Sequence, residues 1–386
     1  MAESRTSSWR ALAVQTLLVL ALAALAYVAA TNAGQKLARQ GIVAGFGFLA
    51  RPAGFDIGQS LIPYAAATAT YLDAFLVGLL NTLLVSALAI VISTGLGFAI
   101  GIARRSGNLL ARSVAAAYVE GFRNLPLLLQ LLVWYVAVRV ALPASGDPAA
   151  WGGAFLSQRG LFLPRPDFFG WAALVPLASA AGLLALWLLV RASRRAVALG
   201  KKPVSVPWPG ALLVLGLPAL AWIGLALAGH PVPVAWPARG PYDIEGGLAL
   251  RPEFAALLIG LSTYSAAFIA EIVRSGLDSV ARGQREAAAA LSLSRGQALR
   301  LVVLPQAMRV IVPPLTSQYL STTKNSSLAV LIGYPDLVHV FMGTVLNQTN
   351  QAVEVVAITM GVYLTLSLAT ALLMNRTNAR VAGGRP

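Results

Sequence analysis

Residues Arg285–Pro305 read R-E-A-A-A-A-L-S-L-S-R-G-Q-A-L-R-L-V-V-L-P, a polar, small-residue stretch set between two strongly apolar regions. Glu286 is followed by four alanines, which is good helix-forming material. Ser294 and Gln297 are spaced as a capping box, so a second helix should open there. The stretch predicts a short helix across a membrane surface, a break at Ser292–Ser294, and a helix that re-enters the apolar phase at Leu301. A rod held at both ends in this way could pass movement from outside a bilayer to the spans within it.

The apolar regions on either side belong to a chain of 386 residues that is 58% hydrophobic and only 11% charged. Soluble proteins carry about 25% charged residues, so this chain lacks the polar surface to be soluble. It has no Cys, which excludes Cys-based metal sites and leaves the redox compartment open. His230 and His339 are far apart in sequence and read as solvent- or headgroup-facing rather than catalytic.

A spanning helix needs about 20 predominantly apolar residues, and eight segments qualify. Ala11–Ala30 is longer than the about 7–15 residues of a signal-peptide core and reads as an anchor; the polar, Gly- and Pro-rich segment Asn32–Asp73 follows it. Ala74–Ala103 is uncharged, and its Gly97…Gly101 spacing favours close helix packing. Val114–Val138 carries Glu120 and Arg123, three apart and so on one face. They face either a bundle interior or the headgroup level, and Pro126 just beyond them breaks the hydrogen-bond ladder. Phe168–Val190 and Trp208–Gly229 follow, with loops rich in Gly and Pro at Leu142–Asp167 and His230–Glu253. The sixth span runs from Phe254 towards Arg274, with Glu271 and Arg274 again three apart. Leu301–Thr323 is interrupted by Pro305, Arg309 and Pro313-Pro314 and reads as a broken or partial span; Val355–Met374 is the last.

Eight spans place both termini on one side. Of the 29 Lys and Arg, eighteen fall in segments then assigned inside and nine in segments assigned outside, which agrees with the positive-inside rule. The net charge of +15 is thereby largely explained by topology, and no nucleic-acid partner is needed. No phosphate-binding G-x-x-x-x-G-K-[ST] loop, G-x-S-x-G elbow, H-E-x-x-H or paired carboxylate cluster occurs. An ion-coupled secondary carrier would bury mid-span carboxylates, for which only Glu120 is a candidate. A membrane enzyme lacks its catalytic cluster. The composition points to a translocation pathway energised by another polypeptide.

The opening stretch resembles the loop of bacterial ABC-importer permeases: E-A-A, three residues, Gly, nine residues, Ile, one residue, Leu-Pro. Glu286, Ala287 and Ala288 match, Ser292 takes the Gly position, Val302 the Ile position, and Leu304-Pro305 close the motif. The Ser weakens the case for a tight left-handed turn there. Gly78–Leu83, Glu120–Gln130, Ala270–Arg274 and Pro313–Ala329 resemble the polar amino-acid branch of these permeases. The extra N-terminal span and the two spans inserted between about Pro143 and Arg251 resemble the larger, Q-type subunit of general L-amino-acid uptake systems.

The resemblance implies an all-α polytopic membrane protein with a type I importer (MetI-like) core and a cytoplasmic coupling helix. Its expected divisions are an anchor and periplasmic segment (1–73), a transmembrane domain (74–375) with a two-helix insertion at about 143–250, and a cytoplasmic tail (376–386). Arg285, Glu286, Ala287, Ala288, Ala289, Ala290, Leu291 and Ser292, with Leu304 and Pro305, would form the ATPase-coupling loop. Half-helix N-termini attract anions, so Asn325, Ser326 and Ser327, with Lys324 nearby, are candidates for an amino-acid carboxylate, or for caps of a re-entrant helix. Asn81, Thr82 and Gln130 either line the same cavity or bond across helices, and Glu120, Arg123, Glu271 and Arg274 are candidate gating charges. No cofactor is expected on this chain; ATP and Mg would bind a partner ATPase dimer. A second permease, a periplasmic amino-acid-binding protein and the lipid of a bacterial inner membrane complete the expected partners.

Overall fold

Thr70 opens the longest apolar helix with a reciprocal cap: Asp73 N–H donates to Thr70 Oγ1 at 3.3 Å, and Thr70 N–H donates to Asp73 Oδ2 at 2.8 Å. The computed structural model describes residues 45–198, 207–240 and 244–382 together with most of 13–32. In it α1 runs Tyr71–Ala103, α2 Leu109–Asn124, α3 Leu127–Ala141, α4 Leu174–Ala198, α5 Leu217–Leu227, α6 Pro252–Asp278, α7 Arg282–Ala290, α8 Leu304–Asn325 and α9 Ala352–Ala382. Among the described residues six helices are long and apolar enough to cross a membrane, seven if α2 and α3 form one bent span, against the eight expected. Of the expected first span Ala11–Ala30, the described residues are helical, with a short apolar helix at Ala13–Leu25; its other residues lie outside the described ones.

One expectation is sharpened and two are corrected. The break expected at Pro126 is present, and there α2 and α3 meet with a bend of 109°. Leu301–Thr323 is not broken: helical structure runs through Gly296–Ile332, as a π turn at Leu299–Val303, then α8, then a 3-10 stretch Ser326–Ile332. Pro305 falls in the first turn of α8, where its missing N–H costs little. Pro313 and Pro314 interrupt the ladder, but Ile311, Val312 and Leu315 beside them are buried, and packing outweighs local propensity. Finally, the segments read as loops at Leu142–Asp167 and His230–Glu253 contain short antiparallel strands.

The chain divides into two compact units, 1–136 with 253–386, and 137–252. The second holds a four-stranded sheet ordered β1 (Ala149–Trp151), β2 (Ala154–Ser157), β3 (Gly160–Leu163) and β8 (Leu248–Leu250). Two ribbons, β4 (Arg165–Pro166) with β5 (Val234–Ala235) and β6 (Ala238–Arg239) with β7 (Ile244–Glu245), accompany it. Ala172, Val175, Leu225 and Val232 form its small apolar core around α4 and α5.

The first unit has two cores. Phe48, Ile57, Tyr71, Val77, Phe341 and Val355 close one around the start of α1. Residues 45–70 are therefore packed structure, where the sequence suggested a polar segment. Ile269, Val273, Leu277, Val303, Ile311 and Leu315 close the other around α6 and α8. The Gly97…Gly101 pair lies against α6: a Cβ at Gly101 would stand 2.7 Å from the Val273 Cβ and 2.8 Å from the Ala270 carbonyl. The small residues serve packing within the chain.

Candidate functional site

The stretch that opened the sequence analysis folds as helix, reversal, helix. Residues Arg282–Ala290 form α7, and its C-terminus closes through two reverse hydrogen bonds: Leu293 N–H to the Ala288 carbonyl (3.1 Å) and Ser292 N–H to the Ala289 carbonyl (2.9 Å). Ser292 takes φ 56°. The left-handed turn that the Gly-to-Ser difference put in question is present. The Ser294 box also forms, Ser294 N–H donating to Gln297 Oε1 (2.9 Å) and Gln297 N–H to Ser294 Oγ (3.3 Å). The π turn and Leu304-Pro305 then lead into α8.

One side of α7 is fixed to the bundle. Ala288 is buried, Arg285 donates to the Leu277 carbonyl at 2.5 Å, and Gln306 Nε2 donates to Gln284 Oε1 at 3.0 Å. Arg285 holds the helix to the end of α6, and Gln284 holds it to α8. The other side is bare: Glu286, Ala287 and Ala290 are exposed. Glu286 meets Arg282 at 3.4 Å across the open surface, a pair of the kind worth only a few tenths of a kcal/mol. Both groups remain free to exchange partners.

Beside α7 the chain gathers charge. Glu271 of α6 bonds Arg104, at the end of α1, and Arg274 (2.5 Å), with Arg123 of α2 at 4.0 Å. Arg274 also bonds Asp278 at 2.7 Å, and Arg105 pairs with the same carboxylate. Glu271 and Arg274 thus do face each other across one helical turn. Arg123 instead takes Glu271 as its carboxylate and lies 5.2 Å from the Phe268 ring centre. Glu120, exposed, lines with Arg104, Arg123 and Glu271 an open cavity of about 350 Å³. The network joins α1, α2 and α6 at the end of the bundle that carries α7.

The polar residues considered for a substrate path are placed as follows. Asn81, fully buried, donates through Nδ2 to the carbonyls of Gln59 and Pro335, both at 2.9 Å. Thr82 accepts from Leu337 N–H at 3.0 Å. Both staple α1 to the turn at Gly333–Leu337. Gln130 donates to the carbonyls of Phe122 (2.8 Å) and Leu125 (2.9 Å), which the α2–α3 bend leaves without helical partners. Ser326 and Ser327 bond back to the carbonyls of Thr323 (2.8 Å) and Lys324 (2.7 Å), and Asn325 makes no side-chain cap. They continue α8; no new helix N-terminus begins there. Lys324 is exposed.

Sequence reasoning missed Asp336. Its carboxylate is fully buried, accepting from His339 N–H (2.8 Å) and the Tyr363 hydroxyl (3.3 Å). Burial lifts its pKa to about 7 against the pull of those hydrogen bonds. The lone acid of the apolar stretch from Ser326 to Val345, following Pro335, was the available signal. Among the histidines, His339 is half-buried, and His230 stacks on Trp171.

Apolar spans with a rigid surface helix strung between two of them make the membrane subunit of a transporter. The family model described as "binding-protein-dependent transport system inner membrane component" matches residues 205–383. The YhdX amino-acid ABC transporter permease protein of Escherichia coli K12 is 48% identical over 377 residues, covering 97% of this chain and 94% of that protein. The general L-amino acid transport system permease AapQ of Rhizobium johnstonii is 43% identical (97% and 92% covered). The glutamate/glutamine/aspartate/asparagine permease BztB of Rhodobacter capsulatus is 39% identical (97% and 94%). This chain belongs to the amino-acid ABC transporter permease family, and is a multi-pass inner-membrane permease subunit of an ABC importer.

Proposed function

We propose that the chain moves L-amino acids, received from an extracytoplasmic binding protein, across the inner membrane by motions that a separate ATPase imposes through α7. The observation that carries this reading is the two-sidedness of α7, bound to α6 and α8 on one side and open at Glu286, Ala287 and Ala290 on the other. The small alanines permit close approach of a partner, and Glu286 supplies a charge-assisted contact to a basic group. ATP and Mg bind the partner dimer, and this chain performs no hydrolysis. A homologous second permease completes the pathway, and both termini lie in the cytoplasm. The names of the relatives support a substrate range of polar and general L-amino acids. Lys324, exposed at the end of α8, is the contact for the substrate carboxylate, Ser326 and Ser327 cap the turn beside it, and Asn81, Thr82 and Gln130 set the helices around it.

The test is Glu286→Lys or Ala287→Arg in the reconstituted complex with its ATPase and binding protein. Uptake should fall by an order of magnitude or more, as expected on losing a buried charged contact of about 2 kcal/mol, while α7 stays folded. Uptake at the unaltered rate would overturn the assignment.

A further inference from the structure

On the bundle side of α7, an open cavity of about 820 Å³ lies among the ends of the spans. Ile102 at the end of α1, Leu277 of α6, Leu293, and Leu299 and Val303 of the π turn make its apolar wall. Arg105 and Arg285 are the charged residues lining it. Their charge is poorly matched. Arg105 shares its carboxylate, Asp278, with Arg274, and Arg285 donates to a neutral carbonyl, that of Leu277. Burial and the nearby cations Arg285 and Arg274 press the Arg105 pKa below its ordinary value. An anion placed between the two guanidiniums would relieve that repulsion, and arginine forks suit phosphate oxygens.

The wall limits what the anion can be. Ile102, Leu277, Leu299 and Val303 all belong to membrane-spanning helices, so the cavity opens where hydrocarbon meets headgroups. A small aqueous anion would leave that wall exposed to water, and a soluble acidic protein segment would have to bring its own apolar anchor. We propose that this cavity binds an acidic phospholipid, its phosphate held between Arg105 and Arg285 and the upper part of an acyl chain lying along Ile102, Leu277 and Leu299. Basic pockets between spans on the cytoplasmic side are suited to anionic headgroups. The lipid braces α7 from the side that carries Arg285, leaving Glu286 and Ala287 open.

The test uses the full permease–ATPase complex in nanodiscs with equal amounts of phosphatidylglycerol and phosphatidylcholine, with retained lipid counted by native mass spectrometry. Wild type should retain phosphatidylglycerol over phosphatidylcholine by roughly tenfold, given two arginines in contact. Arg105→Gln with Arg285→Gln should bring the ratio close to unity. Arg105→Lys with Arg285→Lys should keep most of the preference, as should Arg112→Gln, which lies outside the cavity. Leu299→Trp should lower lipid retention with both arginines in place. Equal retention of the two lipids by wild type overturns the proposal without any variant. So does a preference unchanged by the double Gln exchange, displacement of the lipid by glycerol phosphate at the same concentration, or a cavity filled by the ATPase or second permease in the assembled complex.

Discussion

Ser292 holds φ at 56°, where the Cβ of an L-residue crowds the following carbonyl at a cost of roughly 1–2 kcal/mol. The two reverse hydrogen bonds that close α7 depend on that conformation. Ser292→Gly removes the crowding at some cost in unfolded-chain entropy, so the cap should gain about 0.5–1 kcal/mol. Amide exchange at Ser292 and Leu293 should slow by roughly two- to fivefold, and an unchanged or faster exchange would show that the turn carries no strain. Asp336 gives a second test. A carboxyl in an unfolded chain titrates near about 3.9, whereas burial holds this one at about 7. A raised acid favours the folded state fully below the unfolded pKa, and that advantage is lost as pH rises through the folded one, so the window is about pH 4 to 7. Burial of His339 lowers its pKa; its contribution is present above about 6.5 and lost as pH falls into the folded pKa. Asp336→Asn keeps a capping oxygen. As pH rises from about 5 to 7, its melting temperature should fall less than that of wild type, with the His339 contribution common to both; parallel curves would refute the assignment.

At the scale of elements, the contact of α1 with α6 rests on backbone proximity. Valine at Gly101 would drive its Cβ into Val273 and the Ala270 carbonyl, which overpacking of this kind penalises by about 1–3 kcal/mol. Gly101→Val should lower the thermal midpoint and the yield of assembled complex, while Gly95→Val, with nothing within 4 Å of the added Cβ, should do much less. Equal losses from the two would mean that helix propensity alone is at work. The G-x-x-x-G spacing was legible because it repeats with the helix; its partner on α6 was not, since about 170 residues separate them in the chain. The bend after Asn124 was likewise foreshadowed by Pro126. Its size was hidden because a proline marks where the ladder breaks without fixing the angle; Gln130 then bonds two of the carbonyls left at the break. Strands of two to four residues in the 137–252 unit are too short for alternation to register.

Across the whole molecule, the sequence made the membrane class, most of the spans and the helix–turn–helix at Arg285–Pro305 readable, because apolar runs and a capping pattern are properties of the chain itself. The charge network was half visible. The three-residue spacing of Glu271 and Arg274 announced one pair, but Arg104 and Arg123 converge on Glu271 only because α1, α2 and α6 fold together. Asp336 stayed hidden because its burial comes from Tyr363 and the turn against α1, far away in sequence. The prediction at this scale is the uptake loss expected of Glu286→Lys, since it concerns how a force on one helix reaches all the others.

The Gly97 and Gly101 contacts bear on that force. Two rods this close, with Ile269 and Val273 seated directly on the two glycines, cannot slide past one another by small side-chain adjustments, because the packed side chains have no room to give. Under the coupling proposed for α7, a push delivered at Leu277 would carry α1 along with α6, so that the pair would swing as one strut, with the hinge to be sought at the Pro126 elbow.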